Sequence, residues 1–465
     1  MQKSVNDLIL ANKKAFLIGI GGVGMSGLAR ILAARGLQVS GSDAKRSKTT
    51  SKLEKEGIAV EVGHRGDFKE RPDFIVFSSA IQETNPDLLS ARASGIPTFH
   101  RAEVLSSIIN PGISAVVTGT HGKSTTSALT SFLMTEAGLR PTCAVGGEML
   151  NFGSNVVLGH SHFFVVEVDE SDRSHLRFSP DVALITGIEA EHLNVYKDFE
   201  DLKHSFQCFI EKVQKTGQTI YCADDLGIKE VVKEHPVKAT TYGLSATADF
   251  CATDIELNGF TSTYDLHERG RKIDTVSLKV PGQHNVVNSL GAIAILRHFG
   301  VGYNRLLRPL SEFRGVGRRL EVKLNRPDIL VIDDYAHHPT EIVASLSAIQ
   351  GLRKKMTVFF QPHRFTRTAQ FAKEFAQSFY LADRVFVTEI YGAGEENTAQ
   401  VSSEMICEAV NQNRHPEIQT IKRSEIISFL SSQSTEEETI VFMGAGDIGD
   451  IADEFAGQFE SAYLH

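Results

Sequence analysis

The sequence predicts an α/β protein of about three domains, each built on a largely parallel sheet covered by helices. Two observations support this prediction: short apolar runs alternate with helical patterns along the chain, and 465 residues correspond to roughly three domains of about 150 residues each. Polar motifs follow the apolar runs. Because ligands bind beyond the carboxyl ends of strands in open parallel sheets, we expect the binding sites at these motifs.

Two segments have the character of linkers between units. Asn110–Gly112 combines Asn, Pro and Gly, and residues 313–319 contain two glycines and three arginines. The first unit is predicted to contain strands over 15–20, 38–42 and 73–78 and helices over 25–34 and 85–93. The second is predicted to contain strands over 114–117, 163–168 and 182–186, a helix ending near Ala137, short strands between 219 and 280 and a helix over 285–299. The third is predicted to contain strands over 329–332, 356–360, 384–387 and 439–443, separated by helices.

The composition excludes several classes of protein. The chain has 48 basic and 57 acidic residues, a net charge of −9, which makes it a poor candidate for coating nucleic acid or an anionic membrane. Its five cysteines are scattered without a CxxC pair, which fits reduced thiols better than a disulfide framework or a zinc ribbon. The sequence shows neither a secretory signal nor an apolar stretch of about 18 residues. These features predict a soluble, cytoplasmic protein without nucleic-acid partners or membrane insertion.

A glycine-rich turn follows the first predicted strand. Gly19, Gly21 and Gly24 have the spacing G-x-G-x-x-G, Gly22 lies among them, and Asp43 ends the second strand. Such glycines let a pyrophosphate approach backbone N–H groups at a helix N-terminus, and the acidic residue can accept a sugar hydroxyl. The pattern does not distinguish NAD from a UDP-sugar. A further alternative is that the glycines serve helix–strand packing alone.

A second turn, Gly119-Thr120-His121-Gly122-Lys123-Ser124-Thr125, connects the strand over 114–117 to a helix. The N–H groups of such a loop cradle phosphates, the lysine reaches the β- and γ-phosphates, and the serine hydroxyl is a ligand for Mg²⁺. The turn is shorter than the common G-x-x-x-x-G-K-[ST] motif, because Val117 stands where that motif has its first glycine. The sequence therefore predicts a compact variant of the ATP-binding P-loop.

Acidic residues follow the next strand and could provide metal ligands. Glu167 interrupts an apolar strand and is the strongest candidate, and His192 follows the strand after that. Together with Ser124, these residues are predicted to converge on Mg²⁺. For Asp169, Glu170 and Asp172 the alternative is a solvated loop with helix-capping roles, and the sequence favours this alternative at least as much.

Two further groups of polar residues occur at predicted element ends. His284, Asn285 and Asn288 begin a helix, where capping is the default expectation and contact with adenine the alternative. In the third unit, histidines occur in residues 333–339 and 361–367, each time after an apolar strand. Two such histidine-containing loops in one unit could form the metal site of a hydrolase. Arg364 and Arg367 flank His363, however, and two guanidinium groups favour an anion over a cation.

Taken together and in this order, the motifs resemble those of the Mur ligases of bacterial cell-wall synthesis. The matching segments are FLIGIGGVGMSGLA, GTHGKSTT, VEVDESD, IEAEHLN, VPGQHNVVN, FRGVGRRLE, DDYAHHPTE, FQPHRFTRT, YGAGEE and MGAGDI. The resemblance implies three domains: a Rossmann-like UDP-sugar-binding domain over 1–112, a central ATP-binding P-loop domain over 113–317, and a C-terminal Rossmann-like domain over 318–465 that recruits an amino acid. We expect a monomer or homodimer.

The resemblance also implies an activity in peptidoglycan precursor synthesis. ATP would convert the carboxylate of UDP-N-acetylmuramate into an acyl phosphate, which L-alanine would attack to form an amide. The implied catalytic residues are Lys123, His192, Arg318, Asp334 and His337. The implied ATP-binding residues are Gly119, Thr120, His121, Gly122, Lys123, Ser124, Thr125, His284, Asn285, Asn288 and Arg318. Ser124, Glu167 and His192 would hold Mg²⁺, with two ions expected. The implied substrate-binding residues are Gly19, Gly21, Gly22, Gly24, Asp43, Tyr335, His363, Arg364 and Arg367.

The sequence leaves three alternative functions open. A related ligase attaches a recovered tripeptide to UDP-N-acetylmuramate and shares the GTHGK loop, although the segment PHRFTRT is more similar to the alanine-adding enzymes. A nicotinamide-dependent dehydrogenase would explain only the first glycine turn, and a non-catalytic ATP-gated binding protein would use the P-loop without turnover. The chain also departs from the family pattern at Glu191 and Asn194, where aspartates are usual.

Overall fold

The computed structural model describes residues 5–11, 13–191, 195–353, 355–409, 417–433 and 437–461. These residues form an α/β fold with three sheets of five, ten and six strands, which confirms the fold class predicted from the sequence. The described chain divides into two compact units. The first comprises Met1–Asp254, Tyr264–Val276 and Val287–Arg314, and the second comprises Ile255–Thr263, Ser277–Val286 and Gly315–His465.

The elements of the described residues are as follows. The strands are β1 Lys14–Ile18, β2 Gln38–Asp43, β3 Ala59–Val62, β4 Phe74–Phe77, β5 Thr98–His100, β6 Ile113–Thr118, β7 Thr142–Met149, β8 Ser154–Val157, β9 Phe163–Glu167, β10 Val182–Ile185, β11 Gln218–Cys222, β12 Ala239–Gly243, β13 Phe250–Asn258, β14 Thr261–Glu268, β15 Arg271–Leu278, β16 Glu321–Asn325, β17 Ile329–Asp334, β18 Lys355–Phe360, β19 Arg384–Val387, β20 Glu417–Thr420 and β21 Glu438–Met443. The α-helices are α1 Val5–Leu10, α2 Val23–Ala34, α3 Lys48–Lys55, α4 Pro86–Ala93, α5 Arg101–Ile109, α6 Lys123–Glu136, α7 Phe199–Ile210, α8 Leu226–Glu234, α9 Gln283–His298, α10 Tyr303–Leu310, α11 Pro339–Ile349, α12 Phe365–Ser378, α13 Glu404–Glu408, α14 Ile426–Ser432 and α15 Ile448–Ser461.

The first sheet is parallel and has the strand order β3-β2-β1-β4-β5. The buried strand β1 lies at its centre, and the glycine turn after β1 leads into α2. Gly41 on β2 is required by close packing, because a Cβ there would lie 2.3 Å from the carbonyl oxygen of Leu17. The strand order reverses between β1 and β4, which is where doubly wound sheets bind ligands.

The second sheet has the order β15-β14-β13-β12-β11-β10-β6-β9-β7-β8. The neighbours from β12 to β7 are parallel, and β8 forms an antiparallel hairpin with β7 at the edge. The buried strand β6 pairs with β9 on one side and β10 on the other, with Val117 opposite Glu167 and Thr118 opposite Ile185. The carboxyl ends of these three strands therefore lie side by side.

The first two sheets share part of one hydrophobic core, which contains Leu28 and Leu32 of α2 as well as Val156 of β8. A Cβ at Gly27 would lie 2.9 Å from Val156 Cγ2, so α2 packs directly on the hairpin. The Asn155 amide donates to the carbonyl of Val23 at 2.7 Å. The helix after the first glycine turn is thus anchored to the sheet that carries the second.

The third sheet has the order β16-β17-β21-β18-β19-β20 and is parallel except for the antiparallel edge strand β16. Two of its interior strands, β17 and β21, are buried along their whole length. This burial explains why they are continuous apolar runs in the sequence, since strands covered by helices on both faces do not alternate. Polar loops follow both strands.

The fold departs from the sequence predictions in several places, and in the first unit β3, β5, α3 and α5 were not predicted. The segment predicted to hold short strands contains the helix α8, where Asp225 caps the N-terminus by accepting from Ile228 N, and the buried Ile228 and Val231 have helical spacing. The alternation of apolar and polar residues over 219–280 had favoured short strands. The hairpin β7–β8 and the antiparallel strand β16 were also not predicted. None of the helices described here combines the length and apolar character that a bilayer crossing requires.

Candidate active site

The turn between β6 and α6 has the conformation of a phosphate-binding loop. Gly119 and Gly122 have φ values of +123° and +78°, a region that side chains with a Cβ rarely adopt. A Cβ at Gly122 would also lie 2.5 Å from the Oδ1 atom of Asn288. Thr120 N donates to the carbonyl of Gly187 at 2.9 Å, which fixes the turn against the end of β10. Thr125 lies half-buried on the first turn of α6.

Lys123 begins α6 and points back across the turn. Its Nζ atom donates to the carbonyls of Gly119 at 2.5 Å and Thr120 at 3.2 Å, and to Glu170 Oε2 at 2.9 Å. Burial alone would lower the pKa of Lys123, but the carboxylates of Glu170 and Asp169 outweigh it and raise the pKa above its ordinary value. Lys123 is therefore a permanent cation in a pocket of backbone carbonyls and carboxylates.

Ser124 and Glu167 lie together, as the sequence predicted. Ser124 Oγ donates to Glu167 Oε1 at 2.9 Å, and Glu167 Oε2 accepts from Gly146 N at 2.6 Å. A Cβ at Gly146 would lie 2.5 Å from Glu167 Oε1, so only glycine on β7 leaves room for this carboxylate. A hydroxyl and a carboxylate are hard oxygen donors, and this donor set fits Mg²⁺.

Residues at the end of β10 complete this edge of the sheet. His121 Nε2 lies 3.2 Å from Glu189 Oε2, and Glu189 N donates to Thr120 Oγ1 at 2.9 Å. His192, the third predicted metal ligand, lies outside the described residues, as does Asn194. The buried Glu191 is described. The cluster brought together at the ends of β6, β9 and β10 is therefore Lys123, Ser124, Glu167, Glu170 and Glu189.

The three residues proposed for the adenosine fall in different units. Asn288 lies in the first unit, where its Oδ1 accepts from Thr126 Oγ1 at 3.3 Å. His284 and Asn285 belong to the second unit. The Asn285 amide donates to the carbonyl of Pro281 at 2.7 Å, which closes the first turn of α9. Burial and the nearby Arg319 lower the pKa of His284 to about 4, so this imidazole is neutral at pH 7.

The first glycine turn is held by the strand beside it. Gly19 N and Ile20 N donate to the carbonyl of Ser42 at 2.8 and 3.0 Å, and Gly21 N donates to Asp43 Oδ2 at 2.8 Å. Gly22 lies inside the turn, with its N–H on the carbonyl of Gly19. A Cβ at Gly24 would lie 2.5 Å from Nη1 of Arg101, so a guanidinium lies over the start of α2. The Asp43 carboxylate thus already uses one N–H of the predicted pyrophosphate turn.

In the second unit, Asp334 is used to fix the loop after β17. Its Oδ2 accepts from Leu320 N and its Oδ1 from Ala336 N, each at 2.7 Å, and Ser345 Oγ donates to Oδ1 at 3.2 Å. Burial raises the pKa of Asp334 above its ordinary value. The adjacent Asp333 lies 3.2 Å from Nε of Arg318, and burial raises its pKa to about 6 although Arg318 opposes this.

An aromatic and basic cluster lies beyond β17 and β18. The His337 and His363 rings have centroids 5.7 Å apart, and His363 stacks on Tyr391 with centroids 5.7 Å apart. Burial, with Glu341 opposing it, lowers the pKa of His337 to about 3. Burial together with Arg367 and Arg364 lowers that of His363 to about 4. Both imidazoles are therefore neutral at pH 7, and the positive charge of this cluster comes from arginines.

Tyr335 and Arg364 extend the same cluster. The guanidinium groups of Arg318 and Arg319 lie 5.1 and 4.9 Å from the Tyr335 ring centroid. Arg364 has φ +70° before α12, where its N donates to the carbonyl of Tyr391 at 2.8 Å. Arg367, half-buried on the first turn of α12, adds a second positive charge.

Sequence reasoning missed several residues of these clusters. Glu170 is fully buried against Lys123, whereas the sequence had favoured a solvated loop for it. Gly146, Glu189, Tyr391 and Glu395 were not selected, although Glu395 accepts from Thr366 N at 3.1 Å and from Thr366 Oγ1 at 2.8 Å. The segment YGAGEE had contributed to the resemblance, and this was the only signal for Tyr391 and Glu395.

Fold and site together define an α/β protein with a phosphate-binding P-loop. Three family models match the chain: Mur ligase family, catalytic domain, at residues 16–112; Mur ligase middle domain at 117–296; and Mur ligase, glutamate ligase domain, at 318–446. The UDP-N-acetylmuramate–L-alanine ligase of Geotalea daltonii is 37% identical over 97% of this chain and 99% of its own length. The chain belongs to the Mur ligase family, and it is accordingly an ATP-dependent ligase, which excludes the dehydrogenase interpretation.

Solved structures show the same similarity. The UDP-N-acetylmuramate–alanine ligase of Thermotoga maritima has a TM-score of 0.84 and 28% identity, covering 97% of this chain and 100% of that one. A murein peptide ligase from Psychrobacter arcticus has a TM-score of 0.71 and 24% identity, covering 96% of this chain and 98% of that one. The second similarity extends to the fold alone.

Proposed function

We propose that this protein joins L-alanine to the carboxylate of UDP-N-acetylmuramate, with conversion of ATP to ADP and phosphate, in peptidoglycan precursor synthesis. The main observation in support is the cluster of Lys123, Ser124 and Glu167 at the ends of β6 and β9. Relatives that carry the name of this activity match almost the whole chain. The proposed domains are 1–112, 113–317 and 318–465. The five free cysteines favour the reducing cytoplasm as its location.

The P-loop cluster is proposed to transfer the γ-phosphoryl group. Lys123 would leave Glu170 and contact the β- and γ-phosphates, and the N–H groups of Gly119–Gly122 would cradle them. Ser124, Glu167 and His192 would hold Mg²⁺, which neutralises phosphate charge when bound. We propose two ions, because the phosphate and the substrate carboxylate are both anions that must approach each other. Asn288, with Asn285 and His284, would contact the adenosine.

The aromatic and basic cluster of the second unit is proposed to bind the amino acid. Arg364 and Arg367 would hold the carboxylate of L-alanine, since guanidinium groups bind carboxylates in a bidentate manner. His337, His363 and Tyr335 would line the side on which the amine lies. The amine must lose a proton before it attacks the acyl phosphate. His337 and His363 are neutral at pH 7, so each can accept a hydrogen bond from an ammonium group.

The UDP-sugar is proposed to occupy the first glycine turn. Gly19, Gly21, Gly22 and Gly24 would give the pyrophosphate access to backbone N–H groups, and Asp43 would accept a sugar hydroxyl. This arrangement would leave the carboxylate of the sugar free to reach the γ-phosphate. Arg318 and Asp334 are proposed as catalytic residues, and Arg318 is also proposed to bind ATP. Monomer or homodimer stays a prediction.

A phosphate-release assay with each substrate omitted in turn tests this function. We expect release only when UDP-N-acetylmuramate, L-alanine, ATP and Mg²⁺ are all present. Release that does not depend on L-alanine would contradict the proposal. Replacing L-alanine by the L-alanyl-D-glutamyl-diaminopimelate tripeptide tests the related recycling ligase, and turnover with the tripeptide alone would establish that alternative. Absence of turnover with either amine would favour a non-catalytic ATP-binding protein.

A further inference from the structure

A third glycine-rich turn lies between β21 and α15. Gly444, Gly446 and Gly449 have the spacing G-x-G-x-x-G after a strand and at the start of a helix, a pattern that binds pyrophosphate in dinucleotide-binding domains. In this chain, the turn is packed against its own neighbours. A Cβ would lie 2.5 Å from the carbonyl oxygen of Gln361 at Gly444, and 2.2 Å from Gln361 Oε1 at Gly446. The glycines are therefore required by internal packing.

The N–H group that a phosphate would need at the helix N-terminus is also in use. Ile448 N donates to Gln361 Oε1 at 3.1 Å, and the Gln361 amide donates to Asp447 Oδ1 at 2.8 Å. Gln361 thus takes the place of a ligand at the start of α15. A carboxylate at Asp447 would in addition repel an anion.

The turn presents carbonyl oxygens to a cation instead. Arg318 Nη2 donates to the carbonyl of Gly444 at 2.7 Å, and Nη1 donates to the carbonyl of Gly446 at 2.9 Å. Arg318 Nε points to Asp333 Oδ2 at 3.2 Å. These three bonds come from three different nitrogens of one planar group, so they fix its position and its plane together.

Asp333 is the anionic member of this arrangement and is almost fully buried. A Cβ at Gly449 would lie 2.7 Å from Asp333 Oδ2 and 2.8 Å from Arg318 Nε, so the ion pair lies directly on the second residue of α15. A carboxylate at a helix N-terminus is stabilised by the helix dipole. Only glycine at position 449 therefore leaves room for the ion pair of Arg318 and Asp333.

The backbone of Arg318 is restrained as well. Its φ is +59°, a conformation rarely adopted by residues other than glycine, and it is held by bonds on both sides. Arg318 N donates to Glu321 Oε2 at 2.8 Å, and its carbonyl accepts from Tyr335 N at 2.6 Å. The bonds of Arg318 to the described residues use three of its five guanidinium N–H groups, which leaves two for a ligand.

We propose that Asp333 and the turn Gly444–Gly449 are positioning residues for Arg318, and that this glycine turn holds an arginine rather than a nucleotide. The proposal rests on the proposed function, in which Arg318 is a catalytic and ATP-binding residue. A guanidinium fixed before the substrate arrives costs no reorganisation when negative charge develops on the transferring phosphoryl group. Asp333 acts through Arg318 and touches no substrate.

Asp333→Asn tests the proposal, because it keeps the size of the side chain and removes its charge. We expect kcat for phosphate release to fall about 10- to 100-fold while the KM for UDP-N-acetylmuramate stays within about twofold of the wild-type value. In an Arg318→Ala background, Asp333→Asn should cause no further loss, since both changes remove one function. Asp328→Asn, at a half-buried ion pair with Arg326, is the matched control and should behave as the wild type. Thermal unfolding of every variant verifies that each is folded at the assay temperature.

A second measurement does not depend on turnover. In protein labelled with ¹⁵N-arginine, the Nε–H signal of Arg318, assigned from its absence in Arg318→Lys, should be protected from exchange with solvent. Asp333→Asn should accelerate this exchange at least about tenfold, because the acceptor charge is lost. Exchange as fast as that of an exposed arginine in the wild type would overturn the proposal even if the ligase activity is absent. If the ligase activity is present, the proposal would be overturned by a kcat of the Arg318→Ala, Asp333→Asn double variant that falls by the product of the two single losses.

Discussion

The first two glycine turns of this chain have the same topology but a different distribution of charge. Gly19–Gly24 and Gly119–Gly122 each follow an interior strand with a parallel neighbour on both sides and lead into a helix. In the first turn, the carboxylate of Asp43 accepts from Gly21 N. In the second, the cation Lys123 lies over the turn and is paired with the buried Glu170. The charged side chain bound to the backbone of the turn is therefore an anion in the first turn and a cation in the second.

This difference shows that backbone geometry alone does not select the ligand. Both turns offer N–H groups at a helix N-terminus, which favour any anion. Lys123 adds a full positive charge. In the absence of ATP its ammonium group is paired with the Glu170 carboxylate, from which it can move to a phosphate. The first turn has no such cation within it. Its affinity for a pyrophosphate must come from N–H groups and from Arg101, which lies over Gly24.

The largest effect is expected at the second turn from Lys123→Ala. Loss of the cation leaves the charge of the transferring phosphoryl group uncompensated, and we expect kcat to fall by about a thousandfold or more. Glu170 would also lose the cation that faces it in its buried position, which costs stability. The measurement is phosphate release with all three substrates, together with thermal unfolding. Turnover close to the wild-type rate in a folded variant would contradict the role of this turn.

Lys55→Ala is the control for that variant. Lys55 is an exposed lysine at the end of α3. Its removal changes the net charge by the same amount and should leave kcat unchanged. The double change Lys123→Ala with Glu170→Gln should recover stability without recovering turnover, because it removes the buried charge that Lys123 had balanced and does not restore the cation.

A smaller effect is expected from alanine at the glycines of the two turns. Gly122→Ala places a Cβ 2.5 Å from Asn288 Oδ1 at a residue with φ +78°. We expect the strain of about 1 to 2 kcal/mol to raise the KM for ATP roughly tenfold. Gly22→Ala is its matched counterpart in the first turn, since Gly22 has φ −64° and its Cβ would lie 3.4 Å from the nearest atom. Gly22→Ala should leave the KM for ATP unchanged; an equal rise in both variants would mean that the turns do not differ as described.

The sequence predicted the backbone of both turns but not their charge pairs. Apolar strands, glycines and helical patterns are local signals, and they placed β1, β6, α2 and α6 within a few residues of their observed bounds. The partner of Lys123 was not predictable, because three acidic residues follow β9 and only the path of the chain after the strand selects Glu170. The contact of Arg318 with Gly444 joins residues far apart in the chain. No local sequence pattern predicts the pairing of Arg318 with Gly444.

The smallest expected effect separates two roles of Asp43 at the first turn. A carboxylate has about four lone-pair positions, so Asp43 can keep the N–H of Gly21 and also accept a sugar hydroxyl. On this basis Asp43→Asn should raise the KM for UDP-N-acetylmuramate several-fold, up to about tenfold, and leave the KM for ATP unchanged, because one acceptor oxygen is lost. The exposed Asp67→Asn is the charge-matched control. A lower KM in Asp43→Asn would instead show that the carboxylate competes with the pyrophosphate for Gly21 N, and the first turn would then be an anion site that its own chain keeps closed until the substrate displaces Asp43.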